Sequence, residues 1–249
     1  MREKLRFRVT LLSVLFFHLV LVSVVDATIR IMPVGDSITM GVSSGVVPDD
    51  SDYYLSYRKA LWDNLVAAGY DIDFVGSLNS GAAVFGASEP ADHEGQPGWR
   101  DDEILNGRAS EPEKGKLMEW LITYQPDIVL LHIGTNGLEP SSVDVEGILD
   151  VIDLYSVDVW VVLARIINQS CITDIPPCSQ SLTATVFNNN ITAMAQNRID
   201  NLGDKITIVD MENGAGIEYD IFPAGDMWNN LHPYESGFSK MADLWFTAL

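Results

Sequence analysis

The strongest constraint on the fold is a regular alternation of two kinds of segment. Short, almost continuously apolar runs rich in β-branched residues alternate with longer segments of helical hydrophobic spacing. The predicted strands are 29–34, 72–76, 128–133, 157–163 and 206–209. The predicted helices are 54–68, 113–124, 143–154, 182–202 and 235–248. Because such strands are buried on both faces, the pattern predicts an α/β protein with a five-stranded parallel sheet between two helical layers and ligands at the carboxyl ends of the strands.

The first 27 residues have the pattern of a cleavable signal peptide. Four basic residues in the first eight positions precede an apolar run at 9–25, and Val25, Asp26 and Ala27 fit a signal-peptidase site. An uncleaved signal anchor is the alternative, because a run of this length almost spans a bilayer. We expect a signal peptide at 1–27, a secreted domain at 28–249, and no stable membrane association after cleavage.

The charge balance excludes one class of partner. The chain has 15 Lys+Arg against 35 Asp+Glu, a formal net charge of −20. A nucleic-acid binder needs a basic face to neutralise phosphates, and this surface repels them. With 47% hydrophobic and 20% charged residues the composition is that of a globular protein. We expect a monomer that acts on neutral or cationic partners and binds no nucleic acid.

The chain has two cysteines, Cys171 and Cys178. Their spacing fits no zinc site, and in an oxidising compartment a disulfide that closes a small loop is the expected state. Asn168 and Asn190 each begin a glycosylation acceptor pattern, which predicts a glycoprotein if the host is eukaryotic.

A candidate nucleophile follows the first predicted strand, in Gly35-Asp36-Ser37. A serine at a strand-to-helix turn has helix amides pointing at the group its hydroxyl attacks. The alternative is structural, because Asp36 or Ser37 can be a helix N-cap.

Polar residues and glycines also follow the next two strands. Gly95 and Gly98 could let a backbone amide approach a substrate oxygen, or could form turns. Asn136 could donate a hydrogen bond to a developing oxyanion, or could also form a turn.

The candidate general base is one of four histidines. His18 lies in the predicted signal peptide, His132 lies inside an apolar strand as a core residue does, and His93 lies in a glycine-rich loop. His232 remains, in a loop just before the last helix, with a surface or capping role as the alternative.

Taken together, these segments resemble the SGNH (GDSL-type) hydrolase family. Gly35-Asp36-Ser37, a glycine of the second loop, Gly134-Thr135-Asn136 and His232-Pro233 occur in the family's order. A closer resemblance is to the acetylxylan-esterase-like branch, carbohydrate esterase family three. The segments that carry it are 30–37, 57–58, 73–77, 93–99 and 126–136.

The resemblance implies a flavodoxin-like three-layer α/β/α hydrolase. Ser37 would be the acyl-accepting nucleophile and His232 its base, then the acid for the leaving alcohol. The oxyanion hole would combine the Ser37 amide, the Gly98 amide and the Asn136 side chain. Gly98 is preferred to Gly95 because the segment after it resembles the short helix that follows the family's glycine. No metal or organic cofactor is required.

The sequence departs from the family three residues before the histidine, where aspartate is usual and Asn229 stands. An amide carries no charge to stabilise imidazolium, and it could donate and so impose the wrong tautomer. Asp226 could compensate as an acid, or a backbone carbonyl could orient a Ser–His dyad. A second departure is Gly137, where the family usually has aspartate; this change should affect the loop more than the chemistry.

Two functions of different class follow. The first is a secreted serine esterase that hydrolyses short-chain acyl esters through an acyl-enzyme on Ser37, with acetyl groups on a polysaccharide as the expected substrate. The second is a catalytically weakened relative that binds glycans in the same cleft.

The tryptophans divide by position. Trp99 and Trp228 flank the predicted site loops and could stack on sugars. The other four lie in predicted helices or strands and are expected in the core: Trp62, Trp120, Trp160 and Trp245.

Overall fold

A parallel sheet of six strands forms the centre of the domain. The computed structural model describes residues 28–42, 50–86, 89–171 and 178–249, so the predicted signal peptide lies outside the described residues. The strands are β1 (Ile29–Gly35), β2 (Ile72–Phe74), β3 (Glu94–Gly95), β4 (Ile128–His132), β5 (Trp160–Arg165) and β6 (Ile206–Asp210). The sheet order is β2-β1-β4-β5-β6, with β3 also paired to β1, and every pairing is parallel. The expected α/β class is confirmed.

The helices occupy the connections between strands and the end of the chain. They are α1 (Ser37–Met40), α2 (Arg58–Ala67), α3 (Asp101–Asn106), α4 (Leu117–Tyr124), α5 (Val143–Tyr155), α6 (Ser179–Leu202) and α7 (Glu235–Ala248). Short 3-10 turns at Ser51–Tyr53 and Pro112–Lys114 precede α2 and α4. None of the helices in the described ranges is long and apolar enough to cross a membrane.

Each face of the sheet has its own hydrophobic core. Successive strand residues point to opposite faces, so Leu130 of β4 packs with α2 and α7 while Val129 and Leu131 pack with α3, α4 and α5. All five residues of β4 are buried. This is why the strands read as continuous apolar runs, and it gives the three-layer arrangement that the pattern predicts.

The structure corrects several element boundaries. The two-residue strand β3 was not predicted, because it has no apolar run; it pairs with the end of β1 through Val34 and Gly35. The strand predicted at 157–163 begins only at Trp160, since Val157 is in an exposed turn. The helices predicted from 54 and 113 begin later, at Arg58 and Leu117, after the 3-10 turns.

The predicted disulfide is confirmed. Cys171 and Cys178 are bonded with their Cα atoms 5.7 Å apart, and the bond closes a loop just before α6. Of the two glycosylation acceptors, Asn168 is buried with its amide nitrogen donating to Glu212, whereas Asn190 is exposed on α6. Glycosylation stays a prediction.

We expect replacement of Leu130 by alanine to lower the free energy of unfolding by about 2–5 kcal/mol, because it opens a cavity at a fully buried position of the central strand. Urea denaturation measures the change. The matched control is Leu154→Ala on α5, where the side chain is 78% exposed and the same truncation should change stability little. Equal losses in the two variants would contradict this description of the core.

Candidate active site

Ser37 lies at the tight turn between β1 and α1. The Oδ1 atom of Asp36 accepts a hydrogen bond from the Ile38 amide at 2.9 Å, so Asp36 is the N-cap of α1. A Cβ atom on Gly35 would lie 2.3 Å from the carbonyl oxygen of His132, so only glycine lets β1 turn so close to β4. Asp36 therefore has the structural role considered for this turn, and the hydroxyl of Ser37 remains available for chemistry.

His232 and Ser37 are brought together from opposite ends of the chain. Nε2 of His232 is 2.9 Å from Oγ of Ser37, within hydrogen-bond distance. The two residues are 195 positions apart in sequence. A serine hydroxyl facing an imidazole nitrogen in this way is the nucleophile-and-base arrangement of serine hydrolases.

Asn229 fixes the tautomer of His232. Its Oδ1 atom accepts hydrogen bonds from the backbone amides of Leu231 at 2.9 Å and His232 at 2.8 Å. Two N–H donors require an oxygen at that position, so the amide cannot be turned to present its NH2 group there. The same oxygen lies 3.2 Å from Nδ1 of His232, which must therefore carry the ring proton. Nε2 is then left unprotonated and free to accept the proton of Ser37.

The imidazole is also poised in its neutral form. Burial lowers the pKa of His232 below its ordinary value, because the charged ring is poorly solvated there. With no carboxylate on Nδ1 to favour imidazolium, the ring stays neutral at pH 7, and Nε2 can accept a proton.

Asp226 is not placed as a compensating acid. Its carboxylate accepts from Nζ of Lys240 at 2.6 Å and from the Glu218 amide at 2.8 Å. Burial raises the pKa of Asp226, but these donors outweigh it and hold the pKa below the usual value. Asp226 thus anchors the loop to α7, and within the described contacts it is Asn229 that meets the imidazole.

The predicted oxyanion residues lie beside one another at the same edge of the sheet. Nδ2 of Asn136 donates to the carbonyl oxygen of Trp99 at 2.9 Å, which joins the loop after β4 to the loop carrying Gly98. Gly98 is exposed with φ of +73°, a left-handed conformation that favours glycine. The Gly95 amide is already engaged, because it donates to Nδ1 of buried His93 at 2.9 Å. This engagement favours Gly98 over Gly95 as the donor.

Arg58 is a supporting residue whose role the sequence did not reveal. Its guanidinium is fully buried and donates to backbone carbonyls on both sides, including those of Thr39 at 3.0 Å and Met40 at 3.1 Å in α1. The other acceptors are the carbonyls of Tyr54, Ser80 and Ala91. Burial lowers the pKa of Arg58 to about 9. Arg58 ties the helix that carries Ser37 to the loops around it.

The other two histidines in the described ranges, His93 and His132, are structural. His132 is fully buried, its Nε2 accepts from the Ile167 amide, and burial lowers its pKa to about 4, as its position in an apolar strand predicts. Burial and the nearby Arg58 charge hold the pKa of His93 well below the usual value. Neither ring is placed to act on Ser37.

The structure also shows the surroundings of Trp99 and Gly137. Trp99 cannot stack on a sugar, because it is fully buried, packs against Trp120 and donates from Nε1 to Glu111. Gly137 has φ of +61° and the side chain of Arg100 covers it, so a Cβ atom would lie 2.5 Å from Cδ of Arg100. Glycine at this position, in place of the family's aspartate, therefore fits both the left-handed backbone and the close contact with Arg100.

Metal-binding groups are not assembled in the part of the chain that the structure describes. No group of three or more His, Cys, Asp or Glu side chains there is arranged to hold a metal ion.

The known proteins to which this chain is similar include several esterases. No family model matches the chain. A multidomain esterase of Ruminococcus flavefaciens is 35% identical over an alignment of 130 residues, and the match covers 47% of this chain and only 15% of that protein. The chain thus spans a small part of that relative.

Solved structures match over most of the chain. A family 3 carbohydrate esterase of Clostridium thermocellum is 29% identical with a TM-score of 0.66, covering 89% of this chain and 95% of that one. A family 3 carbohydrate esterase of Talaromyces cellulolyticus has 21% identity and a TM-score of 0.64, covering 88% and 95%. An acetyl esterase mutant solved with an acetate ion has 22% identity and a TM-score of 0.68, covering 88% and 95%.

Fold, site and similarity together define the class. The chain has the α/β/α fold and the Ser–His arrangement of SGNH (GDSL-type) hydrolases. The chain is similar to a family 3 carbohydrate esterase, so the resemblance that its motifs indicate is confirmed.

We expect Asn229→Asp to raise the pKa of His232 by about 1–3 units, because a carboxylate on Nδ1 favours imidazolium. Proton NMR titration of the ring measures the shift. The matched control is Asn230→Asp, which adds the same charge at the exposed neighbouring residue, where solvent screens it. Similar shifts in both variants would contradict the contact between Asn229 and the ring.

Proposed function

We propose that this protein is a secreted serine esterase that removes short acyl groups, chiefly acetyl, from a neutral polysaccharide. The observation that carries the proposal is the 2.9 Å approach of Ser37 Oγ to His232 Nε2, with the opposite ring nitrogen held on Asn229. The similarity to family 3 carbohydrate esterases supports the substrate class.

The first half of the reaction acylates the serine. Ser37 Oγ attacks the ester carbonyl carbon as its proton passes to Nε2 of His232. The carbonyl oxygen becomes an oxyanion that accepts hydrogen bonds from the Ser37 amide, the Gly98 amide and the second hydrogen of Asn136 Nδ2. The bond to the sugar oxygen then breaks, and that oxygen takes the proton from Nε2. The products of this half are a free sugar hydroxyl and an acyl ester on Ser37.

The second half hydrolyses the acyl-enzyme. Water gives a proton to His232 Nε2 and attacks the acyl carbonyl, and the same oxyanion donors receive the charge. Collapse breaks the bond to Ser37 Oγ, which recovers its proton from His232. The products are the carboxylic acid and the original enzyme, so no cofactor enters the balance.

Asn229 gives this mechanism a different electrostatic balance from a full triad. In serine proteases an asparagine at the aspartate position lowers kcat about 10⁴-fold because it leaves the histidine in the wrong tautomer. Here the backbone amides of Leu231 and His232 hold the amide oxygen toward the ring, so that penalty does not arise. What is lost is the charge that would stabilise imidazolium in the transition state. This supports an active enzyme over a purely glycan-binding relative.

Secretion is part of the proposal. The N-terminal basic and apolar pattern supports it, and so does the Cys171–Cys178 disulfide, since disulfides persist in oxidising compartments.

The proposal predicts Ser37-dependent hydrolysis of p-nitrophenyl acetate. Ser37→Ala should lower kcat by at least about 10³-fold, and the matched control Ser239→Ala, on the exposed side of α7, should retain full activity. Because neutral imidazole is the base and its pKa is lowered, activity should fall only as pH drops below about 6.5. Turnover that survives in Ser37→Ala would overturn the assignment.

Restoring the charge should increase turnover. We expect Asn229→Asp to raise kcat by about tenfold, since each unit of added imidazolium stability is worth about 1.4 kcal/mol in the transition state. The acid limb of the pH–rate profile should move to higher pH with it. An unchanged or lower kcat, in a variant that remains folded by circular dichroism, would contradict the electrostatic account.

A further inference from the structure

Two isolated β-bridges link three positions of the turn-rich segment that carries His232. Ile221 forms a parallel bridge to Met227, and Met227 forms an antiparallel bridge to Pro233. Met227 and Pro233 are buried. The residue that follows each bridged position is exposed or half-exposed.

The three residues that follow these bridges are all aromatic: Phe222, Trp228 and Tyr234. The ring of Tyr234 is central. It stacks on Phe222 with centroids 4.1 Å apart and planes 17° apart, and on Trp228 with centroids 6.2 Å apart and planes 23° apart. We call these three rings the aromatic row.

The two outer rings of the row are open to solvent. Phe222 is 46% exposed and Trp228 is 45% exposed. Of the six tryptophans, all of which are described, only Trp228 is exposed. Two exposed rings that both stack on the same tyrosine mark a surface that can bind a ligand.

The aromatic row is attached to the catalytic loop. The Trp228 amide donates to the His232 carbonyl at 2.8 Å, and Asn229 is the next residue after Trp228. Tyr234 lies two residues beyond His232. A ligand that stacks on the row is therefore held beside the imidazole that must protonate the leaving alcohol.

We propose that the aromatic row is a carbohydrate-binding platform that stacks neutral sugar rings of a polysaccharide chain beside the reacting ester. The proposal rests on the proposed function, because it names how the same site holds its substrate. The nonpolar C–H face of a pyranose ring packs against an aromatic face, while its hydroxyls stay in water. Tyr234 covers one face of each outer ring, so the sugar rings stack on the exposed remainder of Phe222 and Trp228. Two such rings suit a chain of sugars better than a single small ester.

The charges around the row indicate a neutral glycan. Asp220 precedes Phe222 by two residues and Glu235 follows Tyr234, and both carboxylate side chains are exposed. Glu218 lies on the same segment as Asp220. Together with a net charge of −20, these carboxylates repel polysaccharides rich in uronate. The polysaccharides that can bind the row are therefore uncharged ones such as xylan.

The kinetic test compares a polymer with a small ester. In Trp228→Ala and Phe222→Ala, kcat/KM on acetylated xylan should fall about tenfold more than on p-nitrophenyl acetate, and the additional loss should lie in KM. The matched control is Tyr70→Ala. Tyr70 is 51% exposed and lies just before β2, at the amino ends of the strands, so both rates should be unchanged.

A binding test separates this proposal from the proposed function. Xylohexaose added to the full chain carrying Ser37→Ala should shift the tryptophan fluorescence of exposed Trp228, and Trp228→Phe should abolish the shift. Polygalacturonate should produce no shift. If the wild-type protein hydrolyses neither ester, the proposed function fails while the fluorescence shift still supports the platform.

Three results would overturn the platform. One is an equal loss on both esters in the Trp228 and Phe222 variants, and another is a fluorescence shift with polygalacturonate as large as that with xylohexaose. The third is a change of oligomeric state in Trp228→Ala, measured by sedimentation, with unchanged kinetics on acetylated xylan. That result would show that the row contacts a second copy of this chain.

Discussion

The amide oxygen of Asn229 is the interaction on which the chemistry of this site depends. It accepts hydrogen bonds from the Leu231 and His232 backbone amides, which leave it no freedom to turn away from the ring. The ring proton of His232 is thereby held at Nδ1, and Nε2 is turned to Ser37. A neutral residue at this position thus supplies the orientation that an aspartate supplies in a triad, without its charge. Orientation and charge are separable contributions, and this protein keeps the first.

The fold makes that small arrangement rigid by fixing both of its partners. The position of Ser37 is fixed by the close approach of Gly35 to β4. It is also fixed by Arg58, whose buried guanidinium donates to the last two carbonyls of α1. The loop of His232 is held by the bridge between Met227 and Pro233 and by the ion pair of Asp226 with Lys240 of α7. Two distant segments of chain therefore meet with little freedom, as a nucleophile and its base require.

The sequence predicts most of the fold because long apolar runs decide which segments are buried strands. It misses β3, whose two residues are too few to produce a pattern and which pairs with the end of β1. Ser37, His232, Asn229 and Asn136 follow from motif order. Sequence position could not show that Trp99 is buried against Trp120, because that contact depends on tertiary packing. For the same reason it could not show that Phe222 and Trp228 both stack on Tyr234.

The tautomer of His232 in solution decides whether Asn229 orients the ring for catalysis. Nitrogen-15 NMR of protein labelled in its histidines, recorded above pH 6.5, distinguishes a protonated Nδ1 from a protonated Nε2. We expect His232 to be neutral with its proton on Nδ1, and replacement of Asn229 by alanine to mix the two tautomers. A wild-type ring protonated on Nε2 would contradict it, since that nitrogen could not then accept the proton of Ser37.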